Sequence, residues 1–302
     1  MEHLQPFDTI IIGGSYAGLS AAMALGRSLR RVLIIDSGLP CNRQTPHSHN
    51  FITHDGETPA AIAAKARQQV LAYDTITFTN GLAVAAVPQL AGFTVETAAG
   101  EQYTAKTLLF ATGMTDIMPA IPGFAECWGI SVLHCPYCHG YEVRGAVTGI
   151  LSNGDIGFEF GRLIRQWTSR LTIFTNGPAI FSDTQVKELQ QRNISIEEKE
   201  IAAVAHDQGQ LNAIHFTDGS QAPLTALYAR PVMQQHCPIP AALQCELTET
   251  GLIKVDMMQH SSIPGVYAAG DSTNPFRSLA MAVSTGTMAG AAINRDLILE
   301  GK

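Results

Sequence analysis

The stretch Asp8-Thr9-Ile10-Ile11-Ile12-Gly13-Gly14-Ser15-Tyr16-Ala17-Gly18 decides the fold. Asp8 to Ile12 is a short, β-rich apolar run that breaks into a glycine-rich turn. Leu19 to Leu29 then reads as an Ala-rich helix, and Arg31 to Ile35 as a second strand that ends on Asp36. Strand, glycine-rich turn, helix, strand and acid make a unit suited to a dinucleotide. The glycines let the backbone approach a pyrophosphate, the helix N-terminus stabilises its charge, and the acid accepts from a ribose hydroxyl. Asp36 lies 18 residues after Gly18, as that geometry needs. Ser15 replaces the second glycine of the usual G-x-G-x-x-G, and taken alone the stretch also fits a plain strand-to-helix turn.

Outward from this unit, Lys106 to Ala111 is a β-rich run closing with Thr112-Gly113, and Gly265 to Ala269 is another, closing with Gly270-Asp271. Both place a tight turn at the carboxyl end of a strand, the edge where open α/β sheets bind ligands. Between them lies an apparent second copy of the first unit. Val147 to Leu151 reads as a strand, Ser152 to Gly157 as a turn, Phe158 to Trp167 as a helix, and Arg170 to Phe174 as the next strand. Ala213 to Phe216 and Ala226 to Ala229 read as short strands, and Ser278 to Leu299 as a closing helical region.

The composition agrees with an α/β fold of two doubly wound domains. The 302 residues suffice for two cores, 46% of them are hydrophobic, 27 are glycine, and 15% are charged against about 25% in an average domain. The net charge of −7 comes with no Lys/Arg cluster, which argues against nucleic-acid and anionic-membrane partners. Thr9 to Gly26 is uncharged and mostly apolar, but Glu2 and Asp8 precede it and glycines interrupt it, unlike a signal peptide or a membrane span. The six cysteines therefore read as thiols of a reducing cytoplasm, where a close pair points to catalysis.

That pair is Cys135-Pro136-Tyr137-Cys138, bracketed by His134 and His139. It can close a small-loop disulfide, and a neighbouring imidazolium or helix N-terminus would lower its thiol pKa values. A zinc site would need a second ligand pair, and Cys237 and Cys245 are spaced by eight rather than three. Those two could also form a second redox pair, although a structural role is favoured. Cys41 and Cys127 are expected to be inert buried thiols.

Gly13 to Gly18, Asp36, Ala111-Thr112-Gly113, Cys135 to Cys138 and Gly270-Asp271 fall in the order found in low-molecular-weight thioredoxin reductases, and the resemblance covers almost the whole chain. It implies a homodimeric FAD protein whose FAD-binding domain comprises residues 1–116 and 245–302. A pyridine-nucleotide-type domain carrying the C-x-x-C pair, residues 117–244, is inserted between the two segments. By the same analogy Cys138 faces the flavin and Cys135 exchanges with substrate. Asp271 lies near the ribitol, and the polar loop after Asp36 offers Arg43, Gln44 and Asn50 to FAD. His47, His49 and His54 in that loop would line or support the site rather than bind metal.

Two departures matter. His139 stands where thioredoxin reductases carry an acid, and Cys135-Pro136-Tyr137-Cys138-His139-Gly140-Tyr141-Glu142 resembles flavin-dependent dithiol oxidases of the gliotoxin and holomycin type. A neutral imidazole can take a thiol proton near pH 7, so His139 is a candidate general base; a packing role is the alternative. The inserted domain, in turn, keeps only the last glycine of the Ser152-Asn153-Gly154 run and has no arginine pair after Phe174 for a 2′-phosphate. NADPH use is therefore doubtful, unless Arg162 or Arg165 serves the phosphate. The expected partner is a thioredoxin-like protein or a small dithiol or disulfide, with a ferredoxin-type donor or oxygen in place of NADPH. A redox sensor that does not turn over is the remaining reading.

Overall fold

The computed structural model describes residues 6–301. The chain forms two compact units. The first contains the residues up to Arg43, Ala60–Thr115 and the chain from Met233 onward; the second contains Gln44–Pro59 and Asp116–Val232.

In the first unit, five strands run parallel in the spatial order Ile76–Asn80, Val32–Asp36, Phe7–Ile12, Gln102–Phe110 and Val266–Ala268. The hairpin Ala83–Gln89 and Gly92–Thr97 pairs antiparallel to the first half of Gln102–Phe110. The strands are apolar on both faces because both are covered. Ile11, Val32, Ile34 and Leu109 face the helices Tyr16–Arg27 and Leu279–Leu299, meeting Leu19, Leu25, Ile293 and Leu297. Ile10, Ile12, Leu33, Ile35, Leu108 and Phe110 face the other way, onto Cys237, Ile239, Leu243, Cys245 and Ile253. From Met233 onward the chain lies in the first unit. The sheet order reverses between Phe7–Ile12 and Gln102–Phe110, so their carboxyl ends flank the crevice where such sheets take ligands.

The second unit repeats the plan. Its parallel strands are ordered Ile194–Glu197, Leu171–Phe174, Thr148–Leu151, Ala226–Ala229 and Val132–Leu133. An antiparallel sheet of Ile201–Asp207, Gln210–Phe216 and Gln221–Pro223 accompanies it. The strand and helix expected between residues 147 and 174 are present, but the helix spans Gly154–Ile164 and so starts four residues before Phe158. Asn153 caps it, its side chain accepting from the Gly154 N–H at 2.8 Å. Among the described residues no helix is long and apolar enough to cross a membrane.

One polar cluster ties the closing helix down. His260 Nδ1 lies 2.8 Å from Asp256 and its Nε2 2.7 Å from Asp296, which also accepts from the Tyr267 hydroxyl at 2.6 Å. Burial disfavours the imidazolium, but the hydrogen bonds and charges of Asp296 and Asp256 outweigh it and raise the His260 pKa above its ordinary value. A histidine whose pKa is raised on folding stabilises the native state fully below its unfolded pKa, and that contribution fades as pH rises through the folded pKa. Thermal melts should therefore show wild type ahead of His260→Gln at pH 5.5, with the gap shrinking toward pH 9. A gap that widens with pH would contradict the cluster's role.

Candidate active site

Two sites can be built from residues upward, one in each unit. In the first unit, the strand Phe7–Ile12 feeds Gly13, whose φ of +104° suits glycine, and a Cβ there would lie 2.7 Å from the Ala111 carbonyl carbon. A Cβ on Gly14 would lie 2.9 Å from Asp36 Cβ and from the Phe78 ring. A Cβ on Gly18 would collide with the Gly13 carbonyl oxygen. The three glycines thus let the turn lie flat against both neighbouring strands.

Asp36 closes this cradle, one carboxylate oxygen accepting from the Gly14 N–H at 2.9 Å and the other from the Gly38 N–H at 3.2 Å. Ser15 caps the following helix by position only, with no side-chain hydrogen bond and no acid in the first turn, so the helix N-terminus is suited to an anion. The Thr112 hydroxyl beside it is buried without a partner. At the next strand end, Gly270 has a φ of +80° and donates its N–H to the Thr285 hydroxyl at 3.0 Å. Asp271 pairs there with Arg277 at 3.3 Å. Cys41, expected to be buried, is exposed, because it sits in the polar loop after Asp36 with its sulfur 4.0 Å from Asp271.

In the second unit, Cys135 and Cys138 form a disulfide. Cys135 takes the N-cap of the one-turn helix Pro136–His139, where its sulfur accepts from the Cys138 N–H at 3.2 Å, and Pro136 fits the first helical position. The turn is backed by Trp167, which would meet a Cβ on Gly140 at 2.7 Å and packs edge-on against Tyr137. Trp128 stacks on Phe124 and approaches His134 at 5.8 Å between ring centroids. His139 is half-buried. Burial, the largest influence, pushes its pKa below the usual imidazole value; Glu142 pulls it upward and His49 pushes it further down. At neutral pH the ring is thus a proton acceptor.

The same unit holds the second glycine turn, and the chain itself fills it. Asn153 Oδ1 accepts from the N–H groups of Gly154 at 2.8 Å and Ile180 at 3.0 Å, while its Nδ2 donates to the Pro178 carbonyl at 2.9 Å. The Ile180 side chain lies 3.1 Å from where a Gly154 Cβ would stand. Beyond Phe174, Asn176 accepts from the Ile201 N–H at 2.7 Å, and Glu198 accepts from the Ala179 N–H at 2.7 Å. Arg162 pairs with Glu159 and Glu188, each at 3.2 Å, and Arg165 donates to the Arg192 and Thr168 carbonyls.

Residues 7–289 match the pyridine nucleotide-disulphide oxidoreductase family. The chain belongs to that family. It is 34% identical to the thioredoxin reductase sirT of Leptosphaeria maculans, over 95% of this chain and 93% of that protein. Among solved structures, an oxidoreductase from Agrobacterium tumefaciens superposes with a TM-score of 0.92 at 36% identity, covering 99% of this chain and all of that one. HlmI superposes with a TM-score of 0.93 at 30% identity, covering 100% and 95%. The protein is a thioredoxin reductase-like flavin disulfide oxidoreductase, and the family implies FAD.

The first unit of this oxidoreductase fits the cofactor. The close-lying glycine turn, the acid-free helix start and the unpartnered Thr112 hydroxyl together suit a dinucleotide pyrophosphate. Of the residues expected to hold it, Gly13, Ser15, Gly18, Asp36, Ala111, Thr112, Gly113, Gly270 and Asp271 all belong to this unit, as does Arg43. Gln44 and Asn50 belong to the second unit, where Asn50 donates its N–H to Asp55. Gly18→Val should drive the turn off the strand, and the visible flavin-to-protein absorbance ratio of the purified variant should fall to a small fraction of wild type. Full flavin content would contradict this use of the cradle. Cys237 and Cys245 are buried, free thiols in the first unit's core, as a structural role requires. Sequence reading missed Arg277, Asn153 and Ile180. The N-capping chemistry of Asn153 is a signal that could have marked it, whereas its bonds to residues 178 and 180 leave no mark in the sequence.

Proposed function

We propose that this oxidoreductase exchanges an electron pair between FAD at the Gly13–Gly18 cradle and the Cys135–Cys138 disulfide, with His139 moving the thiol proton, and that it uses NADPH poorly. FAD, when bound, supplies a two-electron redox partner for a dithiol–disulfide couple. A substrate thiol gives its proton to His139, its sulfur bonds to Cys135 Sγ, and the electron pair of the broken Cys135–Cys138 bond passes to Cys138 Sγ. The second substrate thiol then displaces Cys135, leaving substrate disulfide and two enzyme thiols. The Cys135 and Cys138 roles follow the family resemblance, and the depressed His139 pKa supports the proton step.

The observation that carries the NADPH statement is the filled second turn. Asn153, Ile180 and Pro178 satisfy one another where a pyrophosphate would approach, and no arginine stands in Thr175-Asn176-Gly177 after Phe174 or in Glu198-Lys199-Glu200 after Ile194–Glu197. Losing one charge-assisted phosphate clamp costs about 1.5 to 3 kcal/mol, or roughly ten- to a hundredfold in affinity. The same closure favours dithiol oxidation, with a small dithiol as donor and oxygen as acceptor, over reduction of a thioredoxin-like protein. A ferredoxin-type donor is the counterpart in the reductive direction. Equilibrium titration should give an NADPH dissociation constant far above the micromolar range, with little preference over NADH. Micromolar NADPH binding would overturn this reading.

A further inference from the structure

The segment Gln44–Pro59 belongs to the second unit, and it brings a histidine to the catalytic turn. Its shape is fixed locally: the Ser48 N–H donates to the Glu57 carbonyl, the Gly56 N–H donates to the Ser48 carbonyl, and His47 Nδ1 lies 2.9 Å from the Gly56 carbonyl. Within it His49, with a side chain 20% exposed, points its Nε2 to within 3.6 Å of the Glu142 carboxylate. Glu142 stands three residues after His139, on the same turn.

We propose that Glu142 and His49, held 3.6 Å apart, form an opposed pair that sets how readily His139 takes the thiol proton during dithiol–disulfide exchange. The inference rests on the reading of His139 as the proton-moving group. The carboxylate favours the charged imidazole, and His49, when protonated, disfavours it; the two influences on His139 have these signs. Other groups adjoin the pair. Asp55 lies 3.7 Å from His49 Nδ1, and the His47 ring is 6.5 Å from that of His49. The Tyr228 hydroxyl is buried and unpartnered, and burial together with the Glu142 charge keeps it protonated. Arg144 lies over the Tyr141 ring at 3.9 Å. At 3.6 Å the His49–Glu142 contact is longer than a direct hydrogen bond, so the two groups act on their surroundings mainly through charge. Both are positioning residues.

The test is the midpoint of the His139 ring resonance in the FAD-loaded full chain, followed by NMR with labelled histidine and assigned by its loss in His139→Gln. Glu142→Gln should lower the midpoint and His49→Gln should raise it, each by roughly half a pH unit or more. Glu142→Asp should move it back toward wild type and guard against a folding artefact. Shifts of the same sign in Glu142→Gln and His49→Gln, or no shift in either, overturn the inference. The outcome is separable from the reading beneath it: a fast His139→Ala enzyme refutes the catalytic role of His139, whereas unmoved midpoints with a slow His139→Ala enzyme refute only the opposed pair.

Discussion

Cys138→Ser is expected to abolish electron exchange between flavin and thiols, bringing turnover of any dithiol to background. A serine hydroxyl closes no disulfide with Cys135, so the bond that accepts the substrate's electron pair is gone. Cys135→Ser should be equally inactive but spectroscopically different. In the roles the family resemblance implies, it leaves Cys138 as a thiolate facing oxidised flavin, and a long-wavelength absorption band should appear. The band in Cys138→Ser instead would reverse the two roles. Neither variant should unfold the turn, because Cys135 caps a single helical turn whose position is also held by the Trp167 packing.

The second large effect is expected at His139. Removing a positioned base costs about 10²- to 10⁴-fold, and His139→Ala should slow dithiol oxidation by that order while FAD content stays normal. Burial holds the His139 pKa below the ordinary imidazole value, so the neutral acceptor form is already dominant at pH 7 and the wild-type rate should gain little from further alkalinisation there. As pH falls through that lowered pKa, the rate should drop. The decisive comparison is at pH 8: a histidine that only packs beside the disulfide leaves a folded His139→Ala enzyme fast, and a base leaves it slow.

The parts legible in the sequence share one property: their signal is local. Ile10-Ile11-Ile12 and Val32 to Ile35 read as strands because a parallel strand covered on both faces must be apolar throughout, and neighbours in the chain reveal it. Gly13, Gly14 and Gly18 read as a cradle because each answers to a backbone within a few ångströms, set by the strand and helix next to it. Cys135 and Cys138 were fixed by their spacing.

What escaped was non-local. Cys237, Ile239 and Leu243 share a core with strands well over 100 residues earlier, which no window around residue 240 displays. Gln44 to Pro59 packs with the second unit, where a Cβ on Gly129 would lie 3.1 Å from the Thr45 hydroxyl, a contact 84 positions apart in the chain. His49 and Glu142 are 93 positions apart, and His260 and Asp296 are 36 apart, so neither pair carries a sequence signature. Cys41 was misread for a related reason: cysteine is among the most buried residue types, and the exposed loop overrides that tendency.

The central claim is that electrons enter through the dithiol rather than through a nicotinamide. Anaerobic reduction of the flavin, followed at its visible band with a small dithiol, NADPH and NADH supplied separately at micromolar concentration, tests it most directly. The account predicts stoichiometric bleaching by the dithiol and none of comparable rate by either nicotinamide. Rapid, stoichiometric bleaching by micromolar NADPH would contradict it.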